Sequence, residues 1–156
     1  MTIGTKCPNW VNEGFDEYVS RLNQDVKLEL VELPLAQRPK NHKPSDKKII
    51  TQLCQDETAR LLNQVKKPGL LVVLDKSGES WSTETLAAKM QGWQTEYPTI
   101  NLLVGGPDGH ASEALAAADC RWSLSKLTFP HPLVRVLLAE QIYRAWSLLK
   151  GHPYHK

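Results

Sequence analysis

What this chain has little of narrows its class first. It holds three cysteines, Cys7, Cys54 and Cys120, an odd number, widely spaced and without a Cys-x-x-Cys pair. Neither a disulfide framework nor a zinc site is indicated, and a reducing compartment fits best. No run approaches the roughly 18 consecutive apolar residues of a membrane span. The opening stretch from Met1 to Pro8 has no apolar core of signal-peptide length. The expectation is a cytoplasmic protein without a membrane or metal partner. A large charge of one sign is also missing, because a formal net charge of +2 is too small to argue for nucleic acid by itself. Low-complexity tracts and internal repeats are absent too. With 41% apolar and 23% charged residues among 156, the composition is that of one folded domain spanning residues 1–156 with a sizeable core.

What is present alternates between two periods. Residues 1–4 could be the stub of a strand ending at Gly4. Val11, Phe15, Tyr18, Val19 and Leu22 recur at helical spacing after Pro8, and residues 26–33 alternate like a strand until Pro34 stops them. Ser45 is positioned to cap a helix whose Ile49, Ile50, Leu53, Leu61, Leu62 and Val65 share one broad face. Residues 70–75 form a continuous apolar run, the pattern of a central parallel strand, and Ser77 with Gly78 reads as a turn into a helix from about Ser82. A strand over 100–104, a glycine-rich turn at 105–109, a small-residue helix and a strand ending near Leu124 follow. A long helix through Leu133 to Leu149 closes the pattern. The expected architecture is α/β, a mainly parallel sheet flanked by helices.

In such a sheet the ends of the strands at Leu74, Val104 and Leu124 share one edge, where open α/β folds bind ligands. Gly105, Gly106 and Gly109 let the backbone approach a ligand closely there. The turn matches neither the dinucleotide fingerprint nor a phosphate-binding P-loop, so nicotinamide and nucleoside triphosphate readings lose support. Arg38, Lys40, Lys43, Lys47 and Lys48 stand against a single Asp46, with Pro39 and Pro44 discouraging regular structure. That run is either a solvated loop or an arm that contacts phosphate by counterion release.

Pro130 and Pro132 fix the backbone around His131, which either caps the long helix or presents a proton-transfer group. Glu140 and Arg144 stand four apart on that helix, within reach of each other. The tail has His152 and His155 at His-x-x-His spacing, but no carboxylate or cysteine accompanies them and a metal is not expected. It is either a disordered end or a segment whose Tyr154 stacks on a base. The helix is apolar on several sides, so it either lies deep in the fold or also packs against a second subunit, and in a chain of this size a homodimer is preferred.

Six groups of residues carry a resemblance over essentially the whole chain. They are Gly4, Thr5 and Lys6 with Pro8 and Trp10; Val73, Leu74 and Asp75 with Gly78 and Trp81; residues 103–109; residues 122–135; residues 140–146; and residues 152–155. Together they resemble the ribosomal RNA large subunit methyltransferase H family of the SPOUT superfamily. The resemblance implies a SPOUT fold with a C-terminal trefoil knot, a homodimer, S-adenosylmethionine as cofactor, and methylation of large-subunit rRNA at N3 of a pseudouridine. It assigns the cofactor to Leu74, Gly105, Leu124, Ser125, Lys126, Leu127, Thr128 and Phe129. The expected catalytic group is His131, Glu140 and Arg144, with Tyr154 and His155 supplied by the partner subunit. The expected rRNA contacts are Arg38, Lys40 and Lys43. The alternatives are another SPOUT RNA methyltransferase, acting on ribose or on tRNA, and a non-catalytic ribosome-binding factor. Members usually begin with a longer first strand than residues 1–4 provide, which puts that edge strand in question.

Overall fold

The sheet is built on one long strand, β3 (Leu70–Ser80), in a computed structural model that describes residues 1–22, 26–39 and 46–155. Its first five residues are all buried. Leu70, Val72 and Leu74 face one side and Leu71 and Val73 the other, so the continuous apolar run serves two cores at once. On one side of β3 lies β4 (Ile100–Val104) and on the other β5 (Cys120–Ser123), both parallel to it. β1 (Thr2–Ile3) joins β4 and carries β2 (Glu32–Leu33) on the outer edge, giving the order β2-β1-β4-β3-β5, parallel throughout. The expected α/β architecture is therefore the observed one.

Helices cover both faces. α3 (Thr83–Glu96) and α5 (His131–Leu149) bury Leu86, Met90, Trp93, Leu138, Ile142 and Ala145 against the Leu70 side of β3. α2 (Lys47–Leu62) brings Leu61 to the opposite side with Ile3 and Leu103, and Leu115 of α4 (Ser112–Ala117) packs against the same cluster. α1 (Asn9–Arg21) packs on α5, where Gly14 meets Val136. Fully burying a Leu, Ile or Val contributes about 1.5–3 kcal/mol, so these two clusters dominate the stability. None of the α5 residues is fully exposed. Among the described residues no helix is long and apolar enough to cross a membrane, and no group of three metal-ligating side chains forms.

Several elements differ from the sequence reading. Only Glu32 and Leu33 of the alternating stretch 26–33 form a strand, because β1 is two residues long and offers no further partner. β3 does not stop at a turn by Gly78. It runs to Ser80, with a register shift between Leu74 and Glu79, and pairs again with β5. Gly78 permits this: a β-carbon there would stand 2.7 Å from backbone atoms of Arg121 and Trp122. The cap of α2 is Asp46, whose carboxylate accepts from the amides of Lys48 and Ile49 at 3.2 and 3.4 Å; Ser45 lies outside the described residues. α5 begins at His131, with Pro130 rather than His131 at the cap position and Pro132 in the first turn.

Candidate active site

The carboxyl ends of β3, β4 and β5 open on a cleft of about 700 Å³. Its walls are residues 74–76, 104–110 and 122–131, with Val134 of α5 behind them. The turn after β4 is fixed by the Gly109 amide donating to the Gly106 carbonyl at 2.9 Å, with Gly109 at φ +86°. Neither Gly105 nor Gly106 has room for a side chain. A β-carbon on Gly105 would lie 2.8 Å from the Gly109 backbone, and one on Gly106 would lie 2.3 Å from a carboxylate oxygen of Glu57. The loop after β5 is held by the Ser123 hydroxyl on the Ser125 carbonyl at 3.0 Å and by the Leu127 amide on the Ser125 hydroxyl at 2.9 Å. Leu127 itself is 74% exposed at the loop tip. Apolar residues such as Trp122 and Phe129 stand among those that wall the cleft.

Three polar side chains line it that the sequence reading did not single out. Asp75 accepts from the amide of Ser77 at 2.8 Å and from its hydroxyl. Burial would raise its carboxyl, but these hydrogen bonds outweigh burial and hold it below the ordinary value. His110 follows the glycine turn with both ring nitrogens buried and without a hydrogen bond of good geometry. Burial lowers its pKa, against the pull of Asp75 and the neighbouring Leu74 and Leu103 carbonyls, so the imidazole is neutral near pH 7. Asp108 pairs with Arg38 at 2.5 Å, while its carbonyl accepts the Cys54 thiol at 3.5 Å. Cys54 is buried and its thiol is pushed up by burial and by the nearby Asp108 and Glu57 carboxylates, the opposite of an activated nucleophile.

A family model described as "Predicted SPOUT methyltransferase" matches residues 1–155. The chain belongs to that SPOUT methyltransferase family. Proteins named ribosomal RNA large subunit methyltransferase H are similar over all 156 residues of this chain and 97% of their own length: 49% identical from Pseudomonas putida strain W619, 48% from Azotobacter vinelandii and 49% from Ectopseudomonas mendocina. As a SPOUT methyltransferase the chain is an enzyme, and its parallel α/β sheet agrees with the resemblance read from its motifs.

All eight residues expected at the cofactor of this SPOUT methyltransferase, Leu74, Gly105 and Leu124 to Phe129, lie on the walls of the one cleft. The five expected catalytic residues do not lie together. His131 lines the cleft, but its Nε2 donates to the Ile3 carbonyl and stands 3.2 Å from the Thr2 hydroxyl. Burial lowers its pKa, partly offset by the Ile3 carbonyl, so this imidazole is also neutral near pH 7. Glu140, Arg144 and Tyr154 gather instead on the far part of α5. Arg144 Nε donates to Glu140 at 2.8 Å, the Tyr154 hydroxyl donates to the same carboxylate at 3.2 Å, and the Arg144 guanidinium lies 4.9 Å above the Tyr154 ring. The phenol is raised well above its ordinary value by burial, by Tyr18 and by Glu140, and Arg144 is raised by its bond to Glu140. His155 ends the 3-10 turn Pro153–His155. Arg38 stands at the cleft rim through Asp108; Lys40 and Lys43 lie outside the described residues.

Proposed function

We propose that the chain transfers a methyl group from S-adenosylmethionine to large-subunit ribosomal RNA, at N3 of a pseudouridine, and does so as a homodimer in the cytoplasm. The observation that carries this reading is the cleft itself, which gathers the glycine turn and the 124–129 loop at the carboxyl ends of three parallel strands. Its volume of about 700 Å³ suits a ligand of adenosyl size. The β-carbons excluded at Gly105 and Gly106 by the Gly109 backbone and by Glu57 let the turn fold tightly at this wall of the cleft. The rRNA substrate rests on the names of the relatives.

When bound, the sulfonium donor supplies an electrophilic methyl group that needs no activation by the protein. The residues of the chain therefore orient and desolvate. The turn at 105–109 and the loop at 124–129 hold the donor through main-chain groups, with Leu74 and Phe129 giving it an apolar bed. The neutral imidazole of His131, anchored on β1, presents a fixed polar edge at the cleft floor. Glu140 and Arg144, which stand with Tyr154 away from their own cleft, reach the uracil from a second subunit to orient and polarise it, while its N3 proton leaves to water as the methyl passes from sulfur to nitrogen. Tyr154 and His155 of a second subunit close over the base. The half-buried apolar residues that α5 keeps at its surface, among them Leu133 and Leu137, suit such a pairing.

Mass spectrometry of rRNA nucleosides from a strain lacking this protein tests the reading. A methylated pseudouridine should vanish and return with the gene. Calorimetry adds a second check, because a ribosome-binding factor without activity would give no heat with S-adenosylmethionine. An unchanged nucleoside profile would overturn the assignment.

A further inference from the structure

The segment after β2 does not wander over the surface. Arg60 donates to the Pro34 carbonyl at 2.8 Å, the Ala36 amide donates to Glu57 Oε1 at 2.9 Å, and Arg38 reaches Asp108 at 2.5 Å. The first two contacts dock the segment on α2, and the third fastens it to the glycine turn of the cleft. Glu57 is 1% exposed, and its second oxygen has no partner and lies against Gly106. One buried side chain thus supports both the segment that leads into the basic run and the turn that walls the cleft. The Ala111 amide, just past that turn, is held by Thr58 of the same helix at 3.0 Å.

We propose that Arg38 and Asp108 are positioning residues that couple polyanion binding to donor binding: a phosphate that takes Arg38 uncovers the Asp108 carboxylate on the cleft wall, and the freed charge favours a cationic donor. The inference rests on the donor and RNA assignments proposed above. With its side chains 31% and 24% exposed the ion pair stays open to phosphate, which engages a guanidinium through two charge-assisted bonds and competes for Arg38. Once released, Asp108 adds an uncompensated negative charge to the cleft, where a sulfonium is attracted and its neutral thioether product is not. RNA then loads the enzyme with donor and lets product go. By linkage the donor strengthens RNA binding by the same factor.

Calorimetry of the full chain with S-adenosylmethionine and with S-adenosylhomocysteine, each with and without poly(U) at fixed ionic strength, tests this. Poly(U) should tighten the sulfonium about threefold, as expected for a half-exposed charge, and leave the thioether unchanged. Asp108→Asn should bind poly(U) and lose the gain, and Arg38→Gln should lose both the gain and part of the poly(U) affinity. Equal sulfonium affinity with and without poly(U), or a gain that survives in Asp108→Asn, would overturn the coupling alone. Absence of any donor binding would overturn the proposed function and the coupling with it.

Discussion

A β-carbon on Gly78 would stand 2.7 Å from the amide nitrogen of Trp122. The two backbones touch where β3 and β5 resume their pairing beyond the register shift, and Trp122 is also a wall of the cleft. The same residue that closes the sheet therefore shapes the site.

Gly78→Ala is expected to cost about 2–3 kcal/mol, since backbone atoms must give way rather than a flexible side chain. Urea unfolding measures the loss. Donor affinity should fall with it, because any movement of Trp122 widens the cleft; a variant with wild-type stability would mean that β5 yields freely.

Trp122 stacks on Trp81 at a centroid distance of 5.1 Å and 13° between planes, and Trp93 meets Trp81 edge-on at 5.8 Å. Adding S-adenosylmethionine should change the intrinsic tryptophan emission. Trp122→Phe should remove most of that change while keeping the binding heat in calorimetry.

Tyr154 bonds Glu140 and lies under Arg144. Tyr154→Phe is expected to cost no more than about 1 kcal/mol of stability, the net worth of one hydrogen bond. Tyr154→Ala should lower methylation of ribosomes by about tenfold or more with donor affinity unchanged, within the range of a positioned catalytic group. Normal methylation by this variant would remove the tail from the site.

The pKa values of His110 and His131 are both lowered, chiefly by burial. The folded chain keeps them neutral while the unfolded chain takes up protons below about pH 6.5, so stability is complete above that pH and declines as pH falls through it. Denaturation midpoints between pH 8 and pH 5 should show the decline. His110→Leu should flatten it, and an identical pH profile in that variant would show that His110 titrates as freely folded as unfolded.

Much of the fold was legible because the chain alternates its periods cleanly. The apolar run 70–75 and the strand 100–104 lie where periodicity puts them, and the eight residues expected at a cofactor converge because parallel strands must end on one edge. Long-range pairing was not legible. Gly78 carries a local turn signal, yet its lack of a side chain serves the approach of β5 from more than forty positions away. The alternation from Val26 to Leu33 is the pattern of a half-buried strand, but a ladder can be no longer than its neighbour, and β1 has two residues. Asp75 and Asp108 stand inside motifs that drew attention for other residues, and His110 carries no motif of its own. Their one signal is position, each within a few residues of a strand end that the fold turns toward the cleft. Glu57 reads as an ordinary helical carboxylate, and only tertiary packing reveals that it is buried between Ala36 and Gly106.

The sheet is stitched unevenly. β4 and β3 are zipped along their full shared length from Leu70 opposite Ile100 to Leu74 opposite Val104, whereas β1 pairs with β4 at Thr2 opposite Val104, with Met1 bonded to Leu102 and Val104 beside it. The outer pair of strands is held instead from the helix side, by His131 and Arg135 of α5 on the Ile3 and Gly4 carbonyls and by Arg135 on the Glu32 carboxylate. In hydrogen exchange the amides of Thr2, Gly4 and Leu33 should lose protection well before those of Val72 or Leu103. An enzyme built this way ties its outermost strands to its long helix more than to the rest of the sheet.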